Sequence, residues 1–367
     1  MKTIVHVLPY MAKGGTEKHV LTILRGLQNK YTIVLFAPSG EILNEFLKLN
    51  IIYEEFPELK GNFIRKVKMY KRVLSEIQNR YDIDIVHIHA AHEFVHFSRK
   101  VLPEIPIIFH LSAHQGSALS KMINYKLSAY ISRRRANLLI AVSEEEKRII
   151  VKKGYPQEKV KVVYNGYESK EGDDWESIGH LKKKYGLENS LIIGNLGRLN
   201  KTKRLDLLIA AFGKVKDEAD KNVKLLFIGD GPDRKRLERI SHRKGLEKDV
   251  IFPGFMNRGD RILKIFDIFV LPTTFEGCSN ALVEAMAKGL PILTTDIPSV
   301  NWMFENEENA VLFKKNSVHE LTEKLYKLIS NTGLRKEVGE NAFLKFKQVF
   351  EAQIMIDKIN QTYRALV

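Results

Sequence analysis

The chain of 367 residues is long enough for two ordinary domains, and 44% hydrophobic with 28% charged residues is the balance of a globular protein. No run approaches the roughly 20 apolar residues that span a bilayer, and the short apolar start at Met1–Val7 lacks the cleavage site of a signal peptide. Cys278 is the single cysteine, which excludes an intrachain disulfide, and we expect a cytoplasmic protein.

The net charge of +15 is concentrated in the first half of the chain. Residues 1–170 carry 27 Lys and Arg against 16 Asp and Glu. Such an excess indicates an anionic partner, either a phosphorylated small molecule, an acidic lipid surface or nucleic acid. Because neither a zinc-ligand spacing nor an aromatic RNA-binding motif occurs, no nucleic acid is expected.

The first half alternates short β-branched runs with stretches of helical periodicity, such as Thr16–Leu27 and Asn62–Arg80. Strands that are apolar on both faces and separated by helices are typical of a parallel sheet covered on both sides. The predicted strands are Thr3–Leu8, Thr32–Phe36, Ile85–Ile88, Ile105–Phe109 and Asn137–Val142.

A polar, glycine-containing stretch at Glu168–Ser177 interrupts this alternation, which then begins again. The strands predicted after it are Ser190–Gly194, Val223–Ile228, Val250–Phe252, Ile268–Leu271 and Pro291–Thr294, and the helices are Arg204–Lys216, Asn280–Ala287 and Glu351–Ala365. We therefore predict an α/β protein of two doubly wound, Rossmann-like parallel-sheet domains, at 1–168 and 189–349, with a linker at 169–188. The last segment, 350–367, is predicted to pack back on the first domain.

Ligands of such sheets bind beyond the carboxyl ends of the strands. The most informative loop there is Phe275–Pro291, in which two glutamates, Glu276 and Glu284, are eight residues apart. Ser279-Asn280 is typical of a helix cap, and the uncovered amides of a helix start attract phosphate oxygens. Carboxylates beside a phosphate site are suited to binding sugar hydroxyls.

Two further loops follow strands. Gly194–Lys203 brings Arg198, a planar fork, and Lys203, a point charge, to a place where they could neutralise a diphosphate. Gly14-Gly15 follows the first strand, where paired glycines permit close approach to a ligand or form an ordinary tight turn. Most cations on loops are only solvated, so each of these segments alone is weak evidence for a ligand site. In combination with the Glu276–Glu284 loop they become stronger evidence.

Together these segments resemble the retaining glycosyltransferases of the GT-B fold, the group called family 4, over nearly the whole chain. The matching motifs, in chain order, are Gly14-Gly15-x-Glu17, Asp84–His89, Ala141–Ser143, Asn165-Gly166, Gly197–Leu199 with Lys203, Gly229–Pro232, Glu276 to Glu284, and Gly289-x-Pro291. The resemblance implies two facing domains with the active site in the cleft between them. It also implies sugar transfer from a nucleotide diphosphate donor, with retention of configuration and without a metal ion or other cofactor.

The resemblance further implies roles for individual residues. Glu276 would bind hydroxyls of the transferred sugar and Glu284 those of the ribose. Gly14 and Gly15 would approach the diphosphate from the other domain, and the base would meet the chain near Phe255. The donor diphosphate would be held by Arg198, Lys203 and the backbone amides of Ser279, Asn280 and Ala281.

Family members usually carry a histidine at the position that Ser112 occupies here, shortly after a strand. We predict that His114, on the following loop, takes the catalytic role through a small shift in register, whereas His110 ends the strand with its ring packed. His87 and His89 lie at another strand end, and we expect at most one of them to face the ligand.

Basic and apolar residues interleaved along Asn62–Arg80, together with Arg133–Arg135, predict contact between the first domain and an anionic membrane, at its inner face. A solvated helix face is the alternative. The predicted acceptor is a glycan or a polyprenyl-linked glycan, and the predicted donor is a UDP-sugar, with GDP-mannose next. A nucleotide-sugar epimerase on the same scaffold and an inactive lipid- or RNA-binding protein remain open as alternatives.

Overall fold

The computed structural model describes residues 1–12, 14–56, 63–112, 118–169, 172–218, 222–256 and 258–367. They form two compact units. The first unit comprises Met1–Gly166 and Ala352–Val367, and the second comprises Tyr167–Glu351. Each unit is built on one parallel sheet with helices against it, which confirms the predicted α/β class.

The first unit has a seven-stranded sheet in the order β3-β2-β1-β4-β5-β6-β7. Its strands are β1 Thr3–Val7, β2 Thr32–Ala37, β3 Ile52–Glu55, β4 Ile83–His89, β5 Ile107–Leu111, β6 Leu138–Ala141 and β7 Val160–Val162. Its helices are α1 Gly15–Leu27, α2 Leu43–Phe46, α3 Phe63–Arg80, α4 His92–Val101, α5 Ala118–Ser132, α6 Glu144–Lys152 and, at the end of the chain, α14 Ala352–Arg364, with a 3₁₀ turn at Gln157–Lys159. All neighbouring strands are parallel, as connections through helices require.

Two apolar cores cover the two faces of this sheet. One contains Val5, Val86 and Phe109, and the helices α3 and α4 contribute to it. The other contains the alternate residues Ile4 and Ile85 together with side chains of α1 and α14. The alternation of strand side chains therefore assigns each strand residue to one of two buried layers.

The second unit has a six-stranded sheet in the order β10-β9-β8-β11-β12-β13. Its strands are β8 Leu191–Leu196, β9 Val223–Ile228, β10 Val250–Gly254, β11 Ile268–Leu271, β12 Ile292–Asp296 and β13 Val311–Lys314. Its helices are α7 Trp175–Tyr185, α8 Leu205–Glu218, α9 Arg234–Arg243, α10 Asn280–Ala287, α11 Pro298–Asn301, α12 Val318–Ser330 and α13 Thr332–Lys345, with 3₁₀ turns at Lys201–Lys203 and Gly259–Ile265 and a π-helical turn at Phe346–Phe350.

The structure differs from the predicted elements in a few places. Strands β3, β7 and β13 were not predicted, and β5 begins and ends two residues later than expected. The stretch 169–188, for which we predicted a linker, contains the whole of helix α7. That helix starts at the cap residue Asp174, whose carboxylate accepts from Ser177 N at 3.0 Å, and ends at Gly186 in the left-handed conformation.

Candidate functional site

The second unit has a topological switch point. Strand β8 lies in the sheet between β9 and β11, so the chain leaves β8 in one direction and later returns on its other side. In open α/β sheets, ligands bind at the carboxyl ends of the strands at such a point. The loops that follow β8 and β11, residues 197–204 and 272–279, both begin there.

An ion pair connects these two loops. Lys203 Nζ lies 2.7 Å from Glu276 Oε1, and the two side chains are only 15% and 14% exposed. The sequence predicted each of these residues for the site, and the structure brings them into direct contact. A partly buried pair of this kind holds a cation and a carboxylate ready at one position, with less solvent screening than a surface pair.

Backbone and hydroxyl contacts fix the two loops to each other. The carbonyl of Thr202 accepts from Thr274 N at 2.9 Å and from the hydroxyls of Thr273 and Thr274 at 3.2 Å. Asn200 Oδ1 accepts from Lys203 N at 3.2 Å and from the Thr202 hydroxyl at 2.6 Å. Sequence analysis missed all four residues. An Asn three positions before Lys203 is nevertheless a recognisable cap signal.

A third loop, after β9, packs against the loop after β8. Gly229 has φ of +138°, and a Cβ there would lie 2.0 Å from the carbonyl oxygen of Gly197. A Cβ on Gly231 would lie 2.3 Å from the carbonyl oxygen of Leu199. Leu199 N also donates to the Asp230 carbonyl at 2.9 Å. Only glycine permits this approach, which explains the Gly-Asp-Gly spacing in physical terms.

Helix α10 begins directly after the Glu276 loop. Ser279 is its cap residue, and the amides of the first turn of a helix have no partner within the helix. Glu276 N donates to Ser299 Oγ at 3.1 Å, which ties the loop to α11. Glu284 is buried in the second turn of α10. Burial, followed by the charges of Asp260 and Glu284, raises the pKa of Tyr167, whose hydroxyl donates to Asp260 Oδ2 at 2.9 Å.

The other predicted donor residues of this unit are exposed or half-buried. Arg198 follows Gly197, which has φ of +145°, and its side chain is exposed. Phe255 is exposed directly after β10, two strands away from β8. Asn280 and Ala281 form the first turn of α10, and both are half-buried. The loops after β8 and β11 thus present two cations, one carboxylate and a helix start at one edge of the sheet.

Comparisons with known proteins agree with this site. Residues 177–345 match the model of the glycosyl transferases group 1, and residues 13–171 match that of glycosyltransferase family 4. The two matches follow each other along most of the chain. The chain belongs to the family 4 glycosyltransferases.

Individual relatives extend the likeness over the full length. A UDP-Gal:alpha-D-GlcNAc-diphosphoundecaprenol alpha-1,3-galactosyltransferase of Escherichia coli is 25% identical over 378 residues, 99% of this chain and 97% of that protein. An uncharacterized glycosyltransferase of Methanocaldococcus jannaschii is 26% identical over 385 residues, 96% of this chain and 95% of that protein. The crystal structure of HepE from Anabaena in complex with UDP-glucose shares the fold with a TM-score of 0.86 at 20% identity, covering 100% of both chains. The fold of this glycosyltransferase is GT-B.

The predicted glycine loop of the glycosyltransferase lies in the first domain. Gly14 is the cap residue of α1, and Gly15 is the first residue of that helix. The Glu17 carboxylate accepts from Ala12 N at 3.2 Å, and a Cβ on Gly14 would lie 2.4 Å from Glu17 Oε2. Burial raises the pKa of the Glu17 carboxyl. The Gly14-Gly15-x-Glu17 motif is therefore a loop that closes around its own glutamate.

The predicted catalytic histidine, His114, lies outside the described residues.

The first domain carries a chain of buried hydrogen-bonded rings at its own switch point, between β1 and β4. His6 Nδ1 lies 3.1 Å from His89 Nε2, and His6 Nε2 lies 3.2 Å from the Tyr363 hydroxyl of α14. The same hydroxyl lies 2.6 Å from His87 Nδ1, and His87 Nε2 lies 3.2 Å from His110 Nδ1. We expected at most one of His87 and His89 to face the ligand, on the premise that the two side chains point to opposite faces of the sheet. That premise was wrong, because residues two apart share a face of the sheet. Their rings stack 4.3 Å apart inside the core.

This ring chain is uncharged. A neutral imidazole offers one donor and one acceptor, and the tyrosine hydroxyl offers both. One hydrogen can therefore lie in each of the four contacts, with every ring donating to the next ring in the same direction along the chain. Burial lowers the pKa of His6 to about 3 and lowers those of His87, His89 and His110 well below their usual range. His6, His87 and His89 are also the one group in the described part of the chain whose atoms are spaced for a metal ion. His6 and His87 already use both ring nitrogens, so we interpret the group as a hydrogen-bonded array.

A fifth imidazole packs against this array. His19 of α1 is buried, and neither of its ring nitrogens has a hydrogen-bond partner among the described residues. Its ring meets that of His110 edge-on, with centroids 4.8 Å apart. Burial lowers the pKa of His19 to about 4.

Within the ranges that the structure describes, every helix of the glycosyltransferase is too short or too polar to traverse a bilayer.

Proposed function

We propose that this glycosyltransferase moves a sugar from a nucleotide diphosphate donor to an acceptor hydroxyl, with retention of configuration. The observation that carries the proposal is the Lys203–Glu276 ion pair at the switch point, beside the start of α10. A cation, a carboxylate and helix amides at one strand edge are the groups that a sugar diphosphate needs.

The chemistry follows from the charges that develop during transfer. As the bond from the sugar carbon to the phosphate oxygen lengthens, positive charge grows on the ring and negative charge on the diphosphate. Arg198 and Lys203, with the amides of Ser279 to Ala281, stabilise the leaving diphosphate, so the reaction needs no metal ion. Glu276 binds the transferred sugar and Glu284 binds the ribose.

Retention requires the acceptor to approach from the face that the diphosphate leaves. The acceptor oxygen forms the new bond to the sugar carbon while the bond to phosphate oxygen breaks. The proton of the acceptor hydroxyl passes to the leaving phosphate, and His114 is the proposed side chain at the acceptor. The sugar is a hexose or a derivative of one.

The names of relatives support a choice of substrates. The relative from Escherichia coli is named for a UDP-Gal donor and a diphosphoundecaprenol-linked acceptor. HepE was crystallised with UDP-glucose. We propose a UDP-sugar donor, with GDP-mannose as the second candidate, and a glycan or polyprenyl-linked acceptor. In this proposal the enzyme works at the cytoplasmic face of a membrane, which its basic first domain contacts.

Calorimetric titration with UDP, GDP and ADP tests the donor site. We expect selective binding of UDP, weakened by Arg198→Ala, which removes a phosphate partner, and by Glu284→Ala, which removes a ribose partner. Lys201→Ala is the matched control, because Lys201 is an exposed cation of the same loop. An equal loss of affinity in Lys201→Ala and Arg198→Ala would show that the effect comes from general surface charge and not from a phosphate contact.

Other outcomes identify the alternatives. Binding of no nucleotide would contradict an active transferase and favour an inactive scaffold. Conversion of a UDP-sugar to its epimer without acceptor would identify an epimerase. The anomeric configuration of the product, measured by NMR, decides between retention and inversion.

A further inference from the structure

Helix α5 of the first domain presents its apolar side to solvent. Five large apolar side chains recur every three or four residues along it, and Leu119 and Tyr130 at the two ends are 62% and 63% exposed. The stripe, which we call the α5 stripe, consists of Leu119, Met122, Ile123, Leu127 and Tyr130. A surface helix of a soluble domain normally turns such residues toward the core.

The buried side of the same helix is held by hydroxyl groups. The Tyr125 hydroxyl donates to the Glu146 carboxylate of α6 at 2.6 and 2.7 Å. Ser128 Oγ lies 2.9 Å from His92 Nδ1 of α4. Ala129 and Ser132 are also buried. Because hydrogen bonds fix the inner face, α5 holds its apolar face outward as part of the folded domain.

Within α5 and the chain that flanks it, up to the start of α6, the charges are of one sign. The 39 residues from Ile105 to Ser143 contain five Lys and Arg and no Asp or Glu. Lys126 is exposed within the stripe, and the Arg133 guanidinium lies 5.3 Å from the centre of the Tyr130 ring. A tyrosine beside an arginine at the end of an apolar stripe is typical of the membrane interface, where an apolar body and a polar tip are both accommodated.

Helix α3 adds to the same surface. Helix α4 packs against both α3 and α5, so the three helices form one layer on the sheet. The exposed side chains of α3 include Ile64, Arg65, Lys68, Met69 and Arg72. The layer therefore combines exposed cations of α3 with the apolar stripe of α5, and cations together with an exposed apolar face are typical of an interfacial amphipathic helix.

We propose that the α5 stripe inserts into the headgroup region of an anionic bilayer, with α5 lying flat on the membrane. Cations around the stripe attract anionic headgroups, whereas they would repel a second copy of the same face. The inference rests on the proposed function, because a lipid-linked acceptor would be met at this surface, and it adds the element that enters the lipid. Binding to lipid needs neither donor nor acceptor, so it can be tested separately.

The test is co-sedimentation with vesicles that contain no acceptor lipid, made either of phosphatidylglycerol and phosphatidylcholine at about 3:7 or of phosphatidylcholine alone. The double variant Ile123→Asp/Leu127→Asp replaces two exposed apolar residues of the stripe. The control Tyr326→Asp/Leu344→Asp makes the same changes in charge and polarity at two exposed positions of the second domain. We expect the stripe variant to bind anionic vesicles at least about tenfold more weakly than wild type, and the control to match wild type.

A second pair of variants tests the charges. Lys126→Gln should weaken binding to anionic vesicles several-fold and Lys336→Gln, at an exposed position of α13, should not. Added salt should weaken binding by the wild type, since screening acts on exposed charges. Equal binding to neutral vesicles would contradict the role of the cations.

Three results would overturn the proposal. The first is failure of the wild type to bind anionic vesicles at low salt. The second is equal vesicle binding by the stripe variant and its control. The third is a wild type that does not bind vesicles but forms a dimer in sedimentation velocity, when the stripe variant does not form that dimer. Titration with UDP and a thermal melt accompany each variant. A stripe variant that binds UDP normally but does not bind vesicles shows that lipid binding is separate from the donor site. Failure of the wild type to bind UDP would refute the proposed function but not this inference.

Discussion

The two domains use the same sheet architecture but place different chemistry at their switch points. In the first domain, imidazole rings within β1 and β4 are buried and uncharged. In the second domain, Lys203 and Glu276 lie on loops beyond the strand ends and are charged. A titratable group inside a strand must be neutral or paired, because the core cannot solvate it, whereas a group on the edge loop can meet an ionic ligand. Position relative to the strand end thus separates structural polar groups from candidate ligand-binding ones.

The comparison predicts a large difference in acid stability. The five buried histidines have pKa values below those of the unfolded chain, so the unfolded state binds more protons once the pH falls below about 6.5. Their stabilisation is complete above that pH and is lost progressively as the pH falls below it. Burial raises the pKa of the Glu146 carboxyl to about 7, which acts in the opposite sense by about 2 kcal/mol. The raised pKa of the Glu17 carboxyl acts in the same sense as that of Glu146, but the five imidazoles outnumber the two carboxyls, so we expect the first domain to lose on the order of a few kcal/mol on balance between pH 7.5 and 5.5.

Tryptophan fluorescence makes the difference measurable. Trp175 and Trp302 both lie in the second domain, so their emission follows that domain alone. Hydrogen exchange of first-domain peptides should become fast near pH 5.5 while the tryptophan signal remains native. His19→Leu is the matched variant, because His19 has no hydrogen bond to lose among the described residues. It should reduce the acid loss by about 1 kcal/mol. An unchanged pH dependence in this variant would refute the titration of the buried rings.

The second prediction concerns the charged side of the comparison. Lys203→Met should lower kcat by about 10²–10³-fold, because the cation that we propose at the leaving diphosphate is lost and Glu276 loses its partner. Lys201→Met, in the same 3₁₀ turn, should change kcat less than about twofold, as an exposed solvated lysine. Initial rates of sugar transfer from the donor identified by titration provide the measurement. Equal losses in the two variants would show that Lys203 acts only through the fold of the loop.

The strands that were not predicted from the sequence were missed for a common physical reason. Strands β3, β7 and β13 all lie at the edges of the sheets, where one side lacks a neighbouring strand. Their sequences, such as Val160-Lys161-Val162, are short and partly exposed, so they lack the continuous apolar run that identified the central strands. The alternation of strands and helices, and hence the fold class, was predictable because it depends on the central strands.

The site shows a similar limit. Lys203 and Glu276 were identified separately, but they are 73 residues apart and their contact depends on β8 lying beside β11. The bond between Thr202 and Asn200 is local, whereas Thr273 and Thr274, which donate to the Thr202 carbonyl, are 71 and 72 residues away, and all of them were missed because single polar loop residues carry a weak signal. The buried rings could have been foreseen in part, since His87 and His89 share strand parity.

The third prediction tests the hydrogen-bonded array itself. Tyr363→Phe leaves a nitrogen of His6 and one of His87 without their partner, which should cost about 2 kcal/mol. Tyr31→Phe is the control, because its hydroxyl donates to Asn360 Oδ1 alone and leaves one amide oxygen, at a cost of about 1 kcal/mol. Urea unfolding at pH 7.5, followed by far-ultraviolet circular dichroism, measures both. A larger loss for Tyr31→Phe would contradict the assignment of two bonds to Tyr363.

The smallest effect should be equal in the two domains, and it checks that their difference lies in the core. Ser143 Oγ caps α6 by accepting from Glu146 N at 3.1 Å, and Asp174 caps α7 in the same way. Ser143→Ala and Asp174→Ala should each destabilise their own domain by about 1 kcal/mol, since each leaves one helix amide without its side-chain acceptor. Urea unfolding followed by tryptophan emission reports Asp174→Ala, and hydrogen exchange of first-domain peptides reports Ser143→Ala. If Ser143→Ala alone steepened the loss of stability in acid, the acid sensitivity of the first domain would arise at its helix ends and not from its buried imidazoles.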